Sequence, residues 1–123
     1  MKNIKICVIG LGYVGLPLAC EFGKKFPTLG YDKDKNRITN LKAGIDETLE
    51  VKNSQLQKKL KKNLQITNNL DDISSCNIFI VTVPTPINKN KDPDFKPLLD
   101  VCKKISKLLK KGDIVVFEST VYP

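Results

Sequence analysis

Short apolar runs and helix-period patterns alternate along the chain, and this alternation predicts its secondary structure. The first run, IKICVI at residues 4–9, is rich in β-branched residues, which favour strands. Later runs of the same kind are separated by segments whose apolar residues recur at the spacing of one helix face. The predicted strands span residues 4–9, 28–31, 64–67, 77–83 and 114–117.

The segments between these strands carry helix signals. Asp34 is a suitable N-cap for a helix after the second strand, and Ser54 with Gln57 resembles a capping box before a lysine-rich helix. Gly112 is expected to end the last helix. That helix has the most regular apolar stripe, formed by Leu98, Val101, Cys102, Ile105, Leu108 and Leu109.

Repeated β-α units of this kind predict an α/β fold with a Rossmann-type, doubly wound parallel sheet. The run NIFIVTV at residues 77–83 is almost wholly apolar, which is typical of a central parallel strand buried on both faces. The 123 residues show no repeat, linker or low-complexity tract. We therefore expect one domain spanning residues 1–123.

The chain is basic, with a net charge of +8, which raises the question of nucleic-acid binding. Arg37 is the only arginine, and the lysine clusters contain no aromatic residues and follow helical spacing, as solvated helix faces do. We therefore expect no nucleic-acid partner, and a field that attracts an anionic small molecule. No apolar run approaches the roughly 20 residues of a membrane helix, and the basic N-terminus lacks a signal-peptide cleavage site. A cytoplasmic protein without a membrane partner is expected.

The four cysteines, Cys7, Cys20, Cys76 and Cys102, are far apart in a chain that has no histidine. A zinc site would need all four to converge, because structural zinc takes four ligands. We expect no metal, and free thiols, with Cys7 and Cys20 on buried apolar faces.

Candidate chemistry begins at the stretch GLGYVGLP, where Gly10, Gly12 and Gly15 form a G-x-G-x-x-G motif. The motif follows a predicted strand and opens a predicted helix, the context that dinucleotide binding requires. The first glycine permits a tight turn, the second lets a pyrophosphate approach, and the third lets the helix pack against the strand. Tyr13 and Val14, inside the motif, join this predicted cofactor site.

Asp32 ends the second strand twenty positions after Gly12. At this place an acid accepts hydrogen bonds from the adenosine ribose hydroxyls. The alternative is that Asp32 only caps the next helix, but Asp34 is better placed for that. Two like charges about 4 Å apart repel by up to roughly 4 kcal/mol at an effective dielectric of 20, so Asp32 favours NAD over NADP. Lys33 and Arg37 could weaken that preference.

Two polar loops follow the fourth and fifth strands, at the edge of the sheet where ligands bind. The stretch VPTP contains Val83, Thr85 and Pro86, and the stretch ESTVYP contains Ser119 and Thr120. Either loop alone would be interpreted as an ordinary turn. Together, beside the glycine loop, they are expected to form the remaining walls of a nucleotide cleft.

These motifs, in this order and along the whole chain, resemble the N-terminal domain of the nucleotide-sugar 6-dehydrogenases, the UDP-glucose/GDP-mannose dehydrogenase family. GLGYVGLP is similar to the family's first loop, VPTP to its fourth-strand loop and STVYP to the start of its S-T-V-x-P-G-T segment. Asp32 with Arg37 resembles its ribose-binding pair. VTVPTPI, KKGDIVVFESTVYP and ETLEV are most similar to the branch that acts on UDP-N-acetylhexosamines, as in Vi-type capsule and O-antigen synthesis.

The resemblance implies an enzyme that oxidises the sugar C6 alcohol to a carboxylate with two NAD per turnover. A catalytic cysteine would form a thiohemiacetal and then a thioester. Thr120 would be catalytic, helping to position the hydrolytic water near the nicotinamide. Thr85 and Ser119 would line the cofactor site, and Arg37 would lie near the adenosine ribose.

The sequence departs from the family pattern at its end. It stops at Pro123, before the glycine and threonine of the last motif, and none of its cysteines matches the nucleophile's motif. In this family the catalytic residues, a second domain and a dimerising helix lie further along the chain. We therefore expect a fragment of a longer, homodimeric dehydrogenase: an NAD-binding domain whose sheet is incomplete at its C-terminal end, inactive alone and dependent on a downstream domain to bind the UDP-sugar.

Three alternatives stay open at this point: a UDP-glucose 6-dehydrogenase of the same family, a non-catalytic NAD-sensing module, and a Rossmann dehydrogenase of β-hydroxyacid type. The last shares the glycine loop but does not account for VPTP together with ESTVYP.

Overall fold

Five parallel strands form the single sheet of the computed structural model, which describes residues 3–83 and 89–118. Their order across the sheet is β3-β2-β1-β4-β5, and Ile6 of the central strand lies level with Thr28 on one side and Ile78 on the other. The predicted α/β fold with a Rossmann-type parallel sheet is confirmed. The strands are β1 (Ile6–Ile9), β2 (Thr28–Tyr31), β3 (Leu64–Thr67), β4 (Ile78–Val81) and β5 (Ile114–Phe117).

The strand order creates one reversal in the winding of the chain. From β1 the chain moves outward to β2 and β3, then crosses to the opposite side of β1 to form β4 and β5. The loops that follow the neighbouring strands β1 and β4 therefore run in opposite directions from the C-terminal edge of the sheet. In open parallel sheets, ligands bind in the crevice at this point.

The helices cover both faces of the sheet because side chains alternate between the faces along each strand. Ile6 and Val8 of β1 join one buried core, which contains residues from the first three helices, whereas Cys7 and Ile9 join the opposite core. Within the described ranges, none of the helices is both long and apolar enough to cross a membrane. They are α1 (Gly15–Phe22), α2 (Lys35–Lys42), α3 (Asn53–Leu60) and α4 (Lys96–Ser106), with a 3₁₀ helix at Leu70–Ser75.

One of the two predicted helix starts is right. Asp34 caps α2, because its carboxylate accepts hydrogen bonds from the amides of Asn36 and Arg37 at 2.9 and 3.2 Å. The predicted capping box at Ser54 is wrong, since α3 begins at Asn53 and its N-cap is Lys52, without a side-chain bond. The Asn53 side chain instead accepts from the amide of Asp46 at 3.2 Å, which ties the start of α3 to the loop before it.

The helix α4 is less buried than its apolar stripe predicts, and the strand β5 is also largely exposed. Of the six stripe residues only Ile105 is buried, and Leu109 is 42% exposed. Gly112 does not end α4, which stops at Ser106, but lies in the turn before β5 with φ at +93°. Within the described part of the chain, β5 pairs only with β4, so it is an edge strand with less cover than the strands between neighbours.

The four cysteines are free thiols, as predicted. Cys7, Cys20 and Cys76 are buried in the two cores, and Cys102 is half-buried. Burial raises the pKa of the Cys20 thiol to about 11, so this side chain behaves as a small apolar group at neutral pH.

Candidate functional site

The chain turns sharply at Gly10, directly after β1. Its φ is +95°, a left-handed conformation that favours glycine, and its amide donates to the Tyr31 carbonyl at 2.8 Å. A Cβ here would lie only 3.1 Å from the backbone nitrogen of Val83. Conformation and space therefore both favour glycine at this turn.

The next two glycines of the motif differ in their surroundings. A Cβ on Gly15 would overlap the Gly10 carbonyl oxygen, so the start of α1 lies directly against the end of β1. A Cβ on Gly12 would meet nothing within 4 Å. Gly15 is required by packing, whereas the backbone at Gly12 faces open space that a ligand can approach.

Thr82 completes this turn, and the motif alone did not point to it. Its hydroxyl lies 2.6 Å from the Gly10 carbonyl and 3.0 Å from that of Ile9, so it donates to the end of β1 from the start of the loop after β4. A polar residue just beyond an apolar central strand, at the reversal point of the sheet, is the signal that could have identified it.

The start of α1 is suited to an anion. Its N-cap, Val14, makes no side-chain hydrogen bond, and no acidic residue lies in the first turn. Uncapped amides at a helix N-terminus carry a partial positive charge and bind phosphate groups. The residues Tyr13 and Val14, beside these amides, are 68% and 46% exposed.

Asp32 holds its carboxylate at the C-terminal end of β2. One oxygen accepts from the Leu11 amide at 2.9 Å and the other from the Asp34 amide at 3.0 Å. A carboxylate has about four lone-pair positions, so among the described residues each oxygen keeps one for a ligand hydroxyl. Because Asp34 caps α2, Asp32 is not occupied by that task, and its geometry suits the two neighbouring hydroxyls of a ribose.

Arg37 lies beneath the glycine loop. Its Nε donates to the Leu11 carbonyl at 2.9 Å, and its Nη1 forms an ion pair with Asp46 at 2.9 Å. Only 10% of its side chain is exposed. The sequence predicted neither contact, and the expected approach of Arg37 to the ribose stays a prediction.

A cavity of about 190 Å³ opens beyond the ends of β1 and β2. Its wall combines apolar side chains from the strand ends, the 3₁₀ helix and α4 with four charged residues, and such mixed, largely apolar walls are typical of sites that bind ring systems. The structure thus brings the predicted residues Gly10, Asp32 and Val83 to one cavity. The other lining residues are Ile9, Tyr31, Lys33, Leu70, Pro97, Asp100, Val101, Lys104 and Ile105.

Four predicted site residues, Thr85, Pro86, Ser119 and Thr120, lie outside the described residues. Their expected positions, and the catalytic role expected of Thr120, stay predictions. The described residues include those predicted to bind the adenosine and pyrophosphate of the dinucleotide.

Comparison with known proteins connects this geometry to a family. The family model described as "UDP-glucose/GDP-mannose dehydrogenase family, NAD binding domain" matches residues 4–123. The chain belongs to this family. It is 55% identical to a UDP-N-acetyl-D-glucosamine 6-dehydrogenase from Pseudomonas aeruginosa and 49% identical to one from Salmonella typhi, over 100% of its own length in both cases. It spans only 29% and 28% of the length of these two relatives.

Solved structures agree with this assignment. The UDP-N-acetyl-D-mannosamine dehydrogenase of Pyrococcus horikoshii superimposes with a TM-score of 0.91 at 31% identity, over 98% of this chain and 29% of that one. The GDP-mannose dehydrogenase of Pseudomonas aeruginosa gives 0.83 at 27% identity, over 96% of this chain and 29% of that one.

NAD, the cofactor of this family's domain, fits the residues present. The open backbone at Gly12, the uncapped start of α1 and the free lone pairs of Asp32 lie along one edge of the sheet, next to a cavity with apolar walls. Pyrophosphate, ribose and adenine would each meet a group of matching chemistry.

The contrast between Gly12 and Gly15 can be tested by adding one methyl group to each. Gly15→Ala should destabilise the protein by about 1–3 kcal/mol or more, because the methyl overpacks against the Gly10 carbonyl. Gly12→Ala should unfold at a temperature close to that of the parent protein. It should bind NAD at least about tenfold more weakly, because the methyl enters the open space that the ligand approaches. Thermal unfolding and calorimetric titration with NAD measure the two effects. Equal loss of stability in both variants would contradict this division of roles.

Proposed function

We propose that this chain is the NAD-binding part of a cytoplasmic UDP-N-acetylhexosamine 6-dehydrogenase. The observation that carries the proposal is Asp32, which presents two free lone pairs beside the open backbone of Gly12 at the reversal point of the sheet. The 55% and 49% identity to two UDP-N-acetyl-D-glucosamine 6-dehydrogenases supports this choice of branch. The chain by itself binds NAD without turning over substrate.

In this proposal, different groups of the described residues bind different parts of NAD. Amides at the start of α1 hold the pyrophosphate, and Asp32 accepts from the adenosine ribose hydroxyls. The cavity beside Val83 and Ile105 takes the adenine. NAD, when bound, supplies the hydride acceptor for the oxidation. The net charge of +8 adds a field that attracts the negatively charged dinucleotide and UDP-sugar.

The remaining parts of the reaction come from elsewhere. In this proposal Thr120 lies near the nicotinamide and helps to position the hydrolytic water, with Thr85, Pro86 and Ser119 on the adjoining walls. A downstream domain of the longer protein supplies the cysteine nucleophile and completes the UDP-sugar site. The longer protein is a homodimer that converts the C6 alcohol into a carboxylate with two NAD per sugar.

The role of Asp32 predicts a measurable preference for NAD over NADP. In Asp32→Asn the loss of charge should weaken NAD binding about tenfold and bring the two affinities closer together, because the 2′-phosphate is no longer repelled. Asp34→Asn is the matched control: it removes the same charge two residues away but still caps α2, since asparagine is an equally good N-cap. Calorimetry that finds equal affinity for NAD and NADP in the parent protein would refute the argument.

The proposed reaction predicts a fixed stoichiometry in the full-length protein. Incubation with NAD and UDP-N-acetylglucosamine or UDP-N-acetylgalactosamine should yield two NADH per sugar, because alcohol to carboxylate is a four-electron oxidation. Absorbance at the NADH band, with the sugar as limiting reactant, gives the ratio. One NADH per sugar would contradict the reaction, and oxidation of UDP-glucose alone would contradict the branch.

A further inference from the structure

Asp46 is a buried acid that the glycine motif does not predict. Its side chain is 0% exposed, in the loop between α2 and α3. One carboxylate oxygen accepts from the Thr48 hydroxyl at 2.7 Å, the Thr48 amide at 3.0 Å and Arg37 Nη1 at 2.9 Å. The other accepts from the Val51 amide at 2.9 Å. A charge is costly to bury unless it is paired and hydrogen-bonded, and this one is both.

Asp46 stays ionised in its buried position. Burial by itself would raise the pKa of the Asp46 carboxyl, but hydrogen bonds from Thr48, Val51 and Arg37 outweigh it and lower that pKa to about 2. At neutral pH the loop therefore presents a fixed negative charge to the guanidinium of Arg37.

Arg37 connects this charge to the glycine loop. Its planar guanidinium uses Nη1 for Asp46 and Nε for the Leu11 carbonyl, so fixing one end of the group sets the direction of the other. Its Nη2 is buried and has no hydrogen-bond partner among the described residues. The guanidinium thus gains its bonds from Leu11 and Asp46, and it depends on both.

Leu11 joins this pair to the predicted ribose acid. Its carbonyl accepts from Arg37 Nε, and its amide donates to Asp32 Oδ2 at 2.9 Å. Leu11 also lies between Gly10 and Gly12, so a shift of its peptide groups moves the glycine loop. Neutralising Asp46 would leave a buried guanidinium without its counter-ion, a strongly unfavourable state that favours Arg37 turning outward and losing its bond to Leu11.

We propose that Asp46 is a positioning residue for the cofactor. Through Arg37 and Leu11 it holds the glycine loop and the Asp32 carboxylate in the arrangement that receives the adenosine ribose and pyrophosphate. The inference deepens the proposed function and rests on it, because the site being positioned is the proposed NAD site.

A double-mutant cycle on NAD affinity tests this inference. Asp46→Asn and Arg37→Met should each weaken NAD binding about tenfold, and the double variant should bind no more weakly than the weaker single variant, since both changes break the same connection. Calorimetry gives the affinities, and thermal unfolding shows that each variant is folded at the titration temperature. Asp72→Asn is the control: the Asp72 carboxylate also accepts from a threonine hydroxyl, that of Thr67, but has no hydrogen bond to Leu11 or Arg37, and the NAD affinity of this variant should match the parent's.

A second variant covers the case in which Asp46→Asn does not fold. Arg37→Lys keeps a positive charge for Asp46 but cannot donate to both Asp46 and Leu11 through one rigid group, so it should fold and still lose about tenfold in NAD affinity.

Three results would overturn the inference. If folded Asp46→Asn or Arg37→Lys protein binds NAD with an affinity within about twofold of the parent's, the Asp46–Arg37 pair stabilises the fold but does not position the cofactor site. Losses that multiply in the double variant would show two independent effects. A parent protein that does not bind NAD at all would overturn both this inference and the proposed function. The first two results would overturn only the inference, because they require a parent protein that binds NAD.

Discussion

The contact between the start of α1 and the end of β1 is the constraint on which the site depends. It is possible because Gly15 has no side chain that would overlap the Gly10 carbonyl, and because Gly10 adopts a left-handed conformation with φ at +95°. The close approach points the uncapped amides of α1 across the C-terminal edge of the sheet. Thr82 ties the same turn to the strand on the other side of the reversal point. One short loop thereby fixes the amides at which we propose that the pyrophosphate binds.

The remainder of the site is arranged around that loop by hydrogen bonds to a single residue. The Leu11 amide fixes Asp32, and the Leu11 carbonyl is fixed by Arg37. Arg37 in turn relies on Asp46, which is buried in a loop that contains no motif. Asp32 and Arg37, which lie 21 and 26 positions after Leu11, therefore bond to the two peptide groups on either side of it. This arrangement explains why a short motif can be specific only in the right tertiary context.

The sequence was sufficient for the architecture and for the motif itself. The strands β2, β3 and β5 begin and end at the predicted residues, because each is a short run bounded on both sides by polar residues or proline, which leaves few alternatives. Asp34 was recognisable as a cap because capping depends on neighbours two and three positions away. The start of α3 was mispredicted because Asn53 bonds to Asp46, a contact that local patterns do not reveal.

The positioning contacts could not be predicted for the same reason. Nothing in the spacing of Arg37 and Asp46 indicates that the guanidinium turns inward to Leu11 rather than outward to solvent. The exposure of β5 also depends on its place at the edge of the sheet, which only the strand order determines. Helix caps and the glycine motif could be recognised in the sequence, because they depend on neighbouring residues. The hydrogen-bond partners of long side chains such as Arg37 could be identified only in the folded structure.

A crystal structure of the protein with NAD bound would show whether the Leu11 network holds the adenosine ribose and pyrophosphate. We expect both adenosine ribose hydroxyls within hydrogen-bonding distance of the Asp32 carboxylate, the pyrophosphate at the amides beside Gly12, and Arg37 still bonded to the Leu11 carbonyl. NAD bound elsewhere on the sheet, or an adenosine ribose that does not contact Asp32, would contradict it.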